Sequence, residues 1–246
     1  MRALITGMGG FAGGHLAEHL LAEGWEVCGT VLTGEESGLP EVVAASCKAL
    51  LCDITDSGSV QKLVGDIQPE ALFHLAAQSS VAASWDAPEQ TFQINLMGSL
   101  AVLEAVRREA PEARVLLVSS GEVYGESFAS GPATEDTPLH PATPYAASKA
   151  CADWVSGQFA ESYGLDVRRV RPFNHTGPRQ RPVFATSSFA RQIAVMEAGQ
   201  RSPCSVSGIW RRSETLATCE TPFGPTDSSP PRRPPVGSTT SARARW

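Results

Sequence analysis

An apolar run over residues 2–6 ends in three glycines at intervals of three residues, Gly7, Gly10 and Gly13. A helical pattern with an apolar face follows over residues 11–23. Glycine permits a tight turn and lets the backbone approach a pyrophosphate, which then rests on the N-terminus of the helix. A merely tight turn would also use glycine, but the position between a first strand and an amphipathic helix favours dinucleotide binding.

Short apolar runs alternate with helical patterns along most of the chain, which predicts an α/β fold with a Rossmann-like, doubly wound parallel sheet. The predicted strands cover residues 2–6, 25–31, 48–52, 71–75, 114–118 and 166–170. The predicted helices cover residues 11–23, 57–67, 88–109 and 144–163. Ligands of such sheets bind beyond the carboxyl ends of the strands, so the informative residues should directly follow strands.

Composition excludes several classes of function. The 246 residues carry a net charge of −6, which gives no indication of nucleic acid or of a membrane surface as a partner. The first apolar run is too short for a signal peptide or a membrane span, and the six cysteines lack Cys-x-x-Cys spacing, so we expect a cytoplasmic protein with reduced thiols. His15 and His19 lie four residues apart without an evident third ligand, so we predict no metal.

Tyr145 and Lys149 are four residues apart and share one face of the predicted helix over residues 144–163. An ammonium group near a phenol favours the phenolate, so the pair predicts a tyrosine of lowered pKa that exchanges a proton with an alcohol or a carbonyl. A packed tyrosine beneath a solvated lysine would have the same spacing. Ser120 and Glu122, which follow the fifth predicted strand, favour the catalytic interpretation, because they should lie at the same edge of the sheet.

Together these motifs resemble the extended short-chain dehydrogenase/reductase family, the NAD-dependent epimerases and dehydratases, over about residues 1–200. The stretches that carry the resemblance are residues 6–13, 53–54, 74–78, 95, 119–125 and 145–149. The resemblance implies that Ser120 orients a sugar oxygen, that Tyr145 is the acid/base, and that Lys149 lowers the pKa of Tyr145 and holds the nicotinamide ribose. Glu122 joins them as a catalytic candidate, and Asn95 would support the site from the long helix.

The resemblance also implies the ligands of the site. The cofactor-binding residues would be Gly7, Gly10, Phe11, Gly13, Asp53, Ile54, Leu75, Ala76, Ala77, Tyr145 and Lys149. The substrate-binding residues would be Gln78, Ser120, Glu122 and Asn174. Family members are often dimers through their long helices, so a homodimer with a GDP-sugar substrate is expected.

The choice between NAD(H) and NADP(H) stays open. A carboxylate at the end of the second strand favours NAD and an arginine favours NADP, but residues 29–34 contain neither, and Glu35 and Glu36 come slightly late. Asp53 could accept a hydrogen bond from the adenine amino group. A role as a turn or helix-capping aspartate is equally compatible with its position.

Residues 171–178 and 189–194 are similar to enzymes that act on GDP-mannose derivatives, most of all to GDP-4-dehydro-6-deoxy-D-mannose reductases and next to GDP-mannose 4,6-dehydratases. The dehydratases carry threonine in place of Ser120, whereas Glu122 suits them. Arg179 stands where the reductases more often have glycine. The resemblance implies reduction of a C4 ketone to GDP-D-rhamnose, with C4 oxidation and C5 proton removal as the dehydratase alternative.

Beyond about Gln200 the pattern changes. Residues 201–246 are rich in Pro, Ser, Thr and Arg without helix or strand periodicity, so we predict a disordered tail after a catalytic domain of residues 1–200. The family carries a C-terminal substrate lobe at this point, which is truncated or replaced here. A shifted reading frame near Arg201 is one hypothesis. A dinucleotide-binding remnant that turns over nucleotide sugars poorly, or not at all, is a further alternative.

Overall fold

Six parallel strands form one sheet in the order β3-β2-β1-β4-β5-β6. The computed structural model describes residues 1–35, 38–200, 208–210 and 215–217. The strands of this sheet are β1 Arg2–Thr6, β2 Glu26–Val31, β3 Lys48–Leu51, β4 Ala71–His74, β5 Arg114–Val118 and β6 Val167–Val170. All six predicted strands are confirmed to within one or two residues at their ends.

The helices are α1 Phe11–Ala22, α2 Glu41–Ser46, α3 Ser57–Ile67, α4 Val81–Asp86, α5 Pro88–Phe92, α6 Gly98–Glu109, α7 Pro144–Tyr163 and α8 Ala185–Glu197. A π-helical turn, Gln93–Met97, separates α5 from α6, and a 3₁₀ segment covers Gly121–Ser130. The prediction of one continuous helix over residues 88–109 is therefore wrong in detail. A π turn leaves the apolar periodicity nearly intact, so the sequence pattern does not reveal it.

Apolar side chains are buried on both faces of the sheet, as a doubly wound fold requires. In β1, Leu4 packs into a core with α3, α6 and Phe159 of α7, whereas its neighbours Ala3 and Ile5 pack into a second core with α1 and α2. All three β1 side chains are fully buried. Helices therefore cover both faces, and the predicted fold class is confirmed.

The strand order places the candidate site. The chain moves outward from β1 through β2 to β3 and then returns to β4 on the other side of β1. The carboxyl ends of β1 and β4 are neighbours, with Thr6 in register with His74. This reversal of direction is the point at which doubly wound sheets bind their ligands.

The chain divides into two compact units, residues 1–181 and residues 182–246. In the second unit the described elements are α8 and two antiparallel strands, β7 Gly208–Trp210 and β8 Thr215–Ala217. These two strands fall within the predicted tail, and three residues are too few for a strand to show a period in the sequence. Most of the predicted tail lies outside the described residues.

Among the helices in the described ranges, none combines the length and the apolarity needed to cross a bilayer.

Candidate active site

The turn after β1 is built around glycine. Gly7 has a φ of +74°, and its N–H donates to Thr30 Oγ1 at 3.0 Å. A Cβ atom at Gly7 would lie 2.8 Å from the backbone of Ala76. The turn therefore lies directly against the residues that follow β4, and only glycine fits this position.

Gly10 and Gly13 complete the turn. Gly10 N–H donates to Gly7 O at 3.0 Å, and a Cβ atom at Gly13 would collide with the same carbonyl oxygen. Gly10 is the N-cap residue of α1 and has no side chain to occupy the N–H groups of the first helical turn. Such uncapped donors suit a pyrophosphate, so the residues present fit a dinucleotide.

Replacing Gly13 by alanine should lower the free energy of unfolding by roughly 1–3 kcal/mol, because the added methyl group overpacks the turn against Gly7 O. The neighbouring Gly14→Ala is the matched control, since its Cβ would lie 3.5 Å from Pro40, an ordinary contact. Urea unfolding of the two variants measures the difference. Equal stability of both would contradict the tight packing of this turn.

The segment after β4 is held by β1 and by the π turn. Leu75 N–H and Ala76 N–H donate to Thr6 O and Thr6 Oγ1 at 3.2 and 3.3 Å. Gln78 exchanges two backbone hydrogen bonds with the Asn95 amide, at 2.8 and 3.0 Å. Gln78 Oε1 is buried and accepts no hydrogen bond within the part of the chain that the structure describes. It is an acceptor suited to a ligand hydroxyl.

His74 is a buried link between β1 and α6. Its Nδ1 lies 2.7 Å from Thr6 Oγ1 and its Nε2 lies 2.9 Å from Ser99 Oγ. Because Ser99 Oγ donates its proton to Asn95 O at 2.6 Å, the proton of the neutral imidazole belongs on Nε2. Burial, with the nearby charge of Lys149, lowers the pKa of His74 to about 3, so the ring is neutral.

Asn95 carries this hydrogen-bond chain on to α7. Its Nδ2 donates to Ser148 Oγ at 3.0 Å, and Ser148 Oγ donates to Tyr145 O at 2.7 Å. Asn95 lies in the π-helical turn, which supports its predicted role beside the site. An unbroken series of buried polar groups thus connects the turn after β1 to the backbone of Tyr145.

Helix α7 places Tyr145 and Lys149 on one face. Thr143 caps its N-terminus by accepting from Ala146 N–H at 3.0 Å, and Pro144 occupies the first helical position. Ser120 and Glu122 both lie close enough to Tyr145 to influence its titration. The four predicted catalytic residues therefore come together at the carboxyl end of β5.

The predicted lowering of the Tyr145 pKa is wrong for this structure. Burial is the largest influence and raises the pKa of Tyr145, Glu122 raises it further, and the Ser120 hydrogen bond only partly offsets them. Lys149 instead donates its ammonium proton to Val118 O at 2.6 Å. Lys149 is 4% exposed, and burial lowers its own pKa to about 8.

A buried ion pair behind Lys149 is absent from the sequence prediction. Asp153, one turn further along α7, is fully buried and accepts from Arg171 Nε and Nη2, both at 2.8 Å. Arg169 Nη1 lies 3.2 Å from the same carboxylate. Burial alone would raise the pKa of Asp153, but the hydrogen bond and charge of Arg171, with Arg169, hold it below its usual value. In the sequence, the indication of this pair was that Asp153 follows Lys149 by four residues, which places both on one face of a helix.

The loop after β6 joins the two halves of the site. Phe173 stacks on Tyr124 at 6.4 Å between ring centroids, and a Cβ atom at Gly121 would touch the Phe173 ring. His175 stacks on Phe11 at 6.0 Å. Asn174 lies between these two contacts and is exposed, as a substrate-binding residue should be. Its predicted role and that of Phe11 stay predictions.

Asp53 and Ile54 have structural roles of their own. Asp53 Oδ1 accepts from Thr55 N–H at 2.9 Å and from Thr55 Oγ1 at 2.8 Å, which makes it a turn aspartate, while Asp56 caps α3. Ile54 is 5% exposed and its side chain packs in the core against Gly98. Its side chain therefore does not face a ligand, and its predicted contact with a cofactor would have to come from its backbone.

His15 does not lie in a metal site among the described residues, where no group of three His, Cys, Asp or Glu side chains could hold an ion. Its Nδ1 lies 2.6 Å from Arg179 Nη2, and Arg179 also pairs with Glu18. Arg179 has a φ of +71°, a left-handed backbone that glycine adopts without cost. This explains physically why glycine would suit the position.

The family match decides among the α/β enzymes that share such a turn and such a tyrosine–lysine pair. The model of the GDP-mannose 4,6 dehydratase family matches residues 4–211. The chain belongs to this family. The match also confirms the resemblance to the extended short-chain dehydrogenases/reductases. Residues 171–178 and 189–194 resemble the reductase branch most, whereas the family match favours the dehydratase branch.

Relatives and solved structures agree with the family. The GDP-mannose 4,6-dehydratase of Vibrio cholerae is 35% identical over 209 residues, which are 80% of this chain and 56% of the relative. A Streptomyces venezuelae dTDP-glucose 4,6-dehydratase with NAD bound superposes with a TM-score of 0.71 at 34% identity, covering 81% and 63% of the two chains. RMD from Pseudomonas aeruginosa, complexed with NADPH, superposes with a TM-score of 0.67 at 34% sequence identity. The match covers 82% of this chain and 64% of that one. The chain thus spans little more than half the length of the curated relative.

Proposed function

We propose that this chain is an NAD(P)-dependent enzyme of nucleotide-sugar metabolism, with the activity of a GDP-mannose 4,6-dehydratase. The observation that carries the proposal is Glu122, an exposed carboxylate two residues after Ser120 that is near enough to Tyr145 for its charge to raise the tyrosine pKa. Oxidising an alcohol to a ketone, or reducing a ketone to an alcohol, needs only one proton carrier. Elimination of water also needs a base for a carbon-bound proton, and Glu122 supplies one.

Each residue has a defined part in this reaction. Ser120 orients the C4 oxygen of the sugar, and Tyr145 accepts the proton of the C4 hydroxyl, which remains a ketone in the product. Glu122 removes the proton from C5, and the C6 hydroxyl is then lost as water. The dinucleotide supplies the hydride acceptor and donor when it is bound against the Gly7–Gly13 turn. Lys149 places a positive charge beneath the site.

The protonation state of Tyr145 favours a second candidate, the GDP-4-dehydro-6-deoxy-D-mannose reductase. Because burial raises the pKa of Tyr145, its hydroxyl keeps its proton at neutral pH. That is the form which donates to a C4 ketone while hydride arrives on the carbon, giving GDP-D-rhamnose. Ser120, in the place where dehydratases carry threonine, supports the same candidate.

Two assays distinguish the candidates. GDP-mannose with NAD or NADP should give a 4-keto-6-deoxy product, 18 Da lighter by mass spectrometry, if the dehydratase proposal holds. GDP-4-dehydro-6-deoxymannose with NADH or NADPH should be reduced if the chain is a reductase. Dinucleotide binding without turnover in either assay would contradict both and favour the dinucleotide-binding remnant.

A homodimer stays a prediction. Large apolar side chains are exposed on α4, on the π turn and on α7, which pack together: Trp85, Met97 and Trp154 are 61%, 45% and 58% exposed. Burying them against a second copy would remove apolar surface from water. Sedimentation of the chain at micromolar concentration measures the oligomeric state directly.

A further inference from the structure

The strap, residues 173–181, runs along one face of α1 within the first compact unit. The ring of His175 stacks on Phe11 at 6.0 Å between centroids. One turn further along α1, Pro178 O lies 3.1 Å from His15 Nε2. Phe11 and His15 are four residues apart, so the strap follows a single face of the helix from its first turn.

Arg179 fastens the strap to that face through a clasp, which consists of Arg179, Glu18 and His15. Arg179 Nη1 donates to Glu18 Oε1 at 2.8 Å, and Arg179 Nη2 donates to His15 Nδ1 at 2.6 Å. Because Pro178 O can only accept, the proton of the neutral His15 ring belongs on Nε2, which leaves Nδ1 to accept from Arg179. The two charged side chains are 37% and 32% exposed, so water screens the pair only in part.

The strap also closes a cleft beside the glycine turn. The cleft has a volume of about 210 Å³ and is lined by the turn, by Glu35, and by Arg179 and Arg181, among others. Arg181 Nη2 donates to Glu35 Oε1 at 3.0 Å. Glu36, the other carboxylate after β2, lies outside the described residues. The strap is thus tied to α1 on one side of the cleft and to the segment after β2 on the other.

A dinucleotide bound at the glycine turn would have one end beneath the strap. The cleft is smaller than the roughly 300–1,000 Å³ of pockets that hold a whole drug-sized ligand, so it has room for one end of a dinucleotide. In doubly wound sheets the adenosine end lies between the glycine turn and the second strand, which are the walls of this cleft. That end can enter or leave only when the strap separates from one wall.

The backbone of the strap is under strain at the residue that fastens it. Arg179 has a φ of +71°, which a residue other than glycine adopts only at a cost in free energy. The contacts with Glu18 and His15 offset this strain. If the clasp is broken and residue 179 is still not glycine, the strain remains without its compensation, and the strap should open more often.

We propose that the strap is a gate for the dinucleotide and that the clasp sets how often the gate opens. The inference rests on the proposed function only in that the chain binds a nicotinamide dinucleotide. A gate that closes both before and after binding slows entry and exit by the same factor. Breaking the clasp therefore changes the rate constants and leaves the dissociation constant as it was.

Stopped-flow fluorescence with the full chain and NADH, and then NADPH, measures the association and dissociation rate constants. Arg179→Gln removes the guanidinium without introducing glycine, and Glu18→Gln removes the carboxylate charge without altering the strap. Each should raise both rate constants about fivefold, the shift expected for a partly exposed ion pair, and keep Kd within about twofold. The double variant should be no faster than either single variant, because both changes break the same contact.

Glu104→Gln is the matched control. The Glu104 side chain is 31% exposed, against 32% for Glu18, and it pairs with Arg107 and Arg108 on α6 rather than with the strap. Its rate constants should equal those of the original chain. Unchanged rate constants in both clasp variants overturn the inference alone. So does a change in only one of the two rate constants, which would make Arg179 a direct contact or competitor of the ligand. A chain that binds neither dinucleotide overturns the proposed function together with the inference.

Discussion

Replacing Tyr145 by phenylalanine should lower turnover by about 10²–10⁴-fold, the usual contribution of a positioned proton carrier, while dinucleotide binding is retained. The variant removes only the phenol hydroxyl, whose titration Ser120 and Glu122 influence, and keeps the aromatic ring. Steady-state kinetics on the substrate that the chain turns over gives the rate. Titration with NADH gives the binding constant.

Tyr163→Phe is the matched control for this variant. Tyr163 lies at the other end of the same helix, is 51% exposed, and packs its ring against Phe159 and beneath Arg107. Loss of its hydroxyl should leave the rate unchanged. If Tyr145→Phe kept a rate within a few fold of the original, another group would have to carry the proton, and the assignment of Tyr145 as the acid/base would be wrong.

Asp153→Asn should destabilise the chain by about 3–5 kcal/mol, because it leaves the largely buried Arg171 guanidinium without its counter-charge. Arg171 also donates to Tyr124 Oη at 3.1 Å and to Glu135 O at 3.2 Å, so the loss reaches the loops on both sides of the site. Urea unfolding monitored by tryptophan fluorescence measures the change.

Asp166→Asn removes the same charge from an exposed pair and serves as the control. Arg168 lies 3.2 Å from Asp166, and the two side chains are 72% and 45% exposed. Its effect should stay below about 1 kcal/mol. Similar losses in both variants would show that burial does not strengthen the Asp153 pair.

The pH dependence of the Asp153 pair has a defined direction. The pKa of Asp153 is lower in the folded chain than in the unfolded chain. The stabilisation is therefore fully present above about pH 4, the usual range of an aspartate, and is lost as the pH falls below it. Asp153→Asn should accordingly flatten the loss of stability in acid relative to the original chain.

The sequence predicted those features that depend on neighbouring residues. The strands and the glycine turn were found because alternation, apolar runs and glycine spacing are local signals. The partner of Lys149 could not be found in this way, since it is the backbone carbonyl of Val118, and any residue has one. The Asp153–Arg171 pair joins residues 18 positions apart, which the packing of α7 against β6 brings together.

Glu35 illustrates the same limit beside the glycine turn, where its Cβ lies 2.8 Å from the Cβ position of Gly9. It follows the last residue of β2, Val31, by four positions. The hydrogen bond from Leu32 N–H shortens that path by folding the segment back, and no residue type at positions 32–35 requires such a fold. The Glu35 side chain therefore lies at the end of β2, where the spacing along the sequence predicts a residue between 29 and 34.

The hydrogen-bond series Thr6, His74, Ser99, Asn95, Ser148 has an evolutionary consequence. Each hydroxyl in it both donates and accepts, and His74 uses both of its ring nitrogens. An apolar residue at any one position would leave its buried polar neighbours without a hydrogen-bond partner. Lineages descended from this chain should therefore change these five positions jointly or leave them alone, so that they are inherited as a single character.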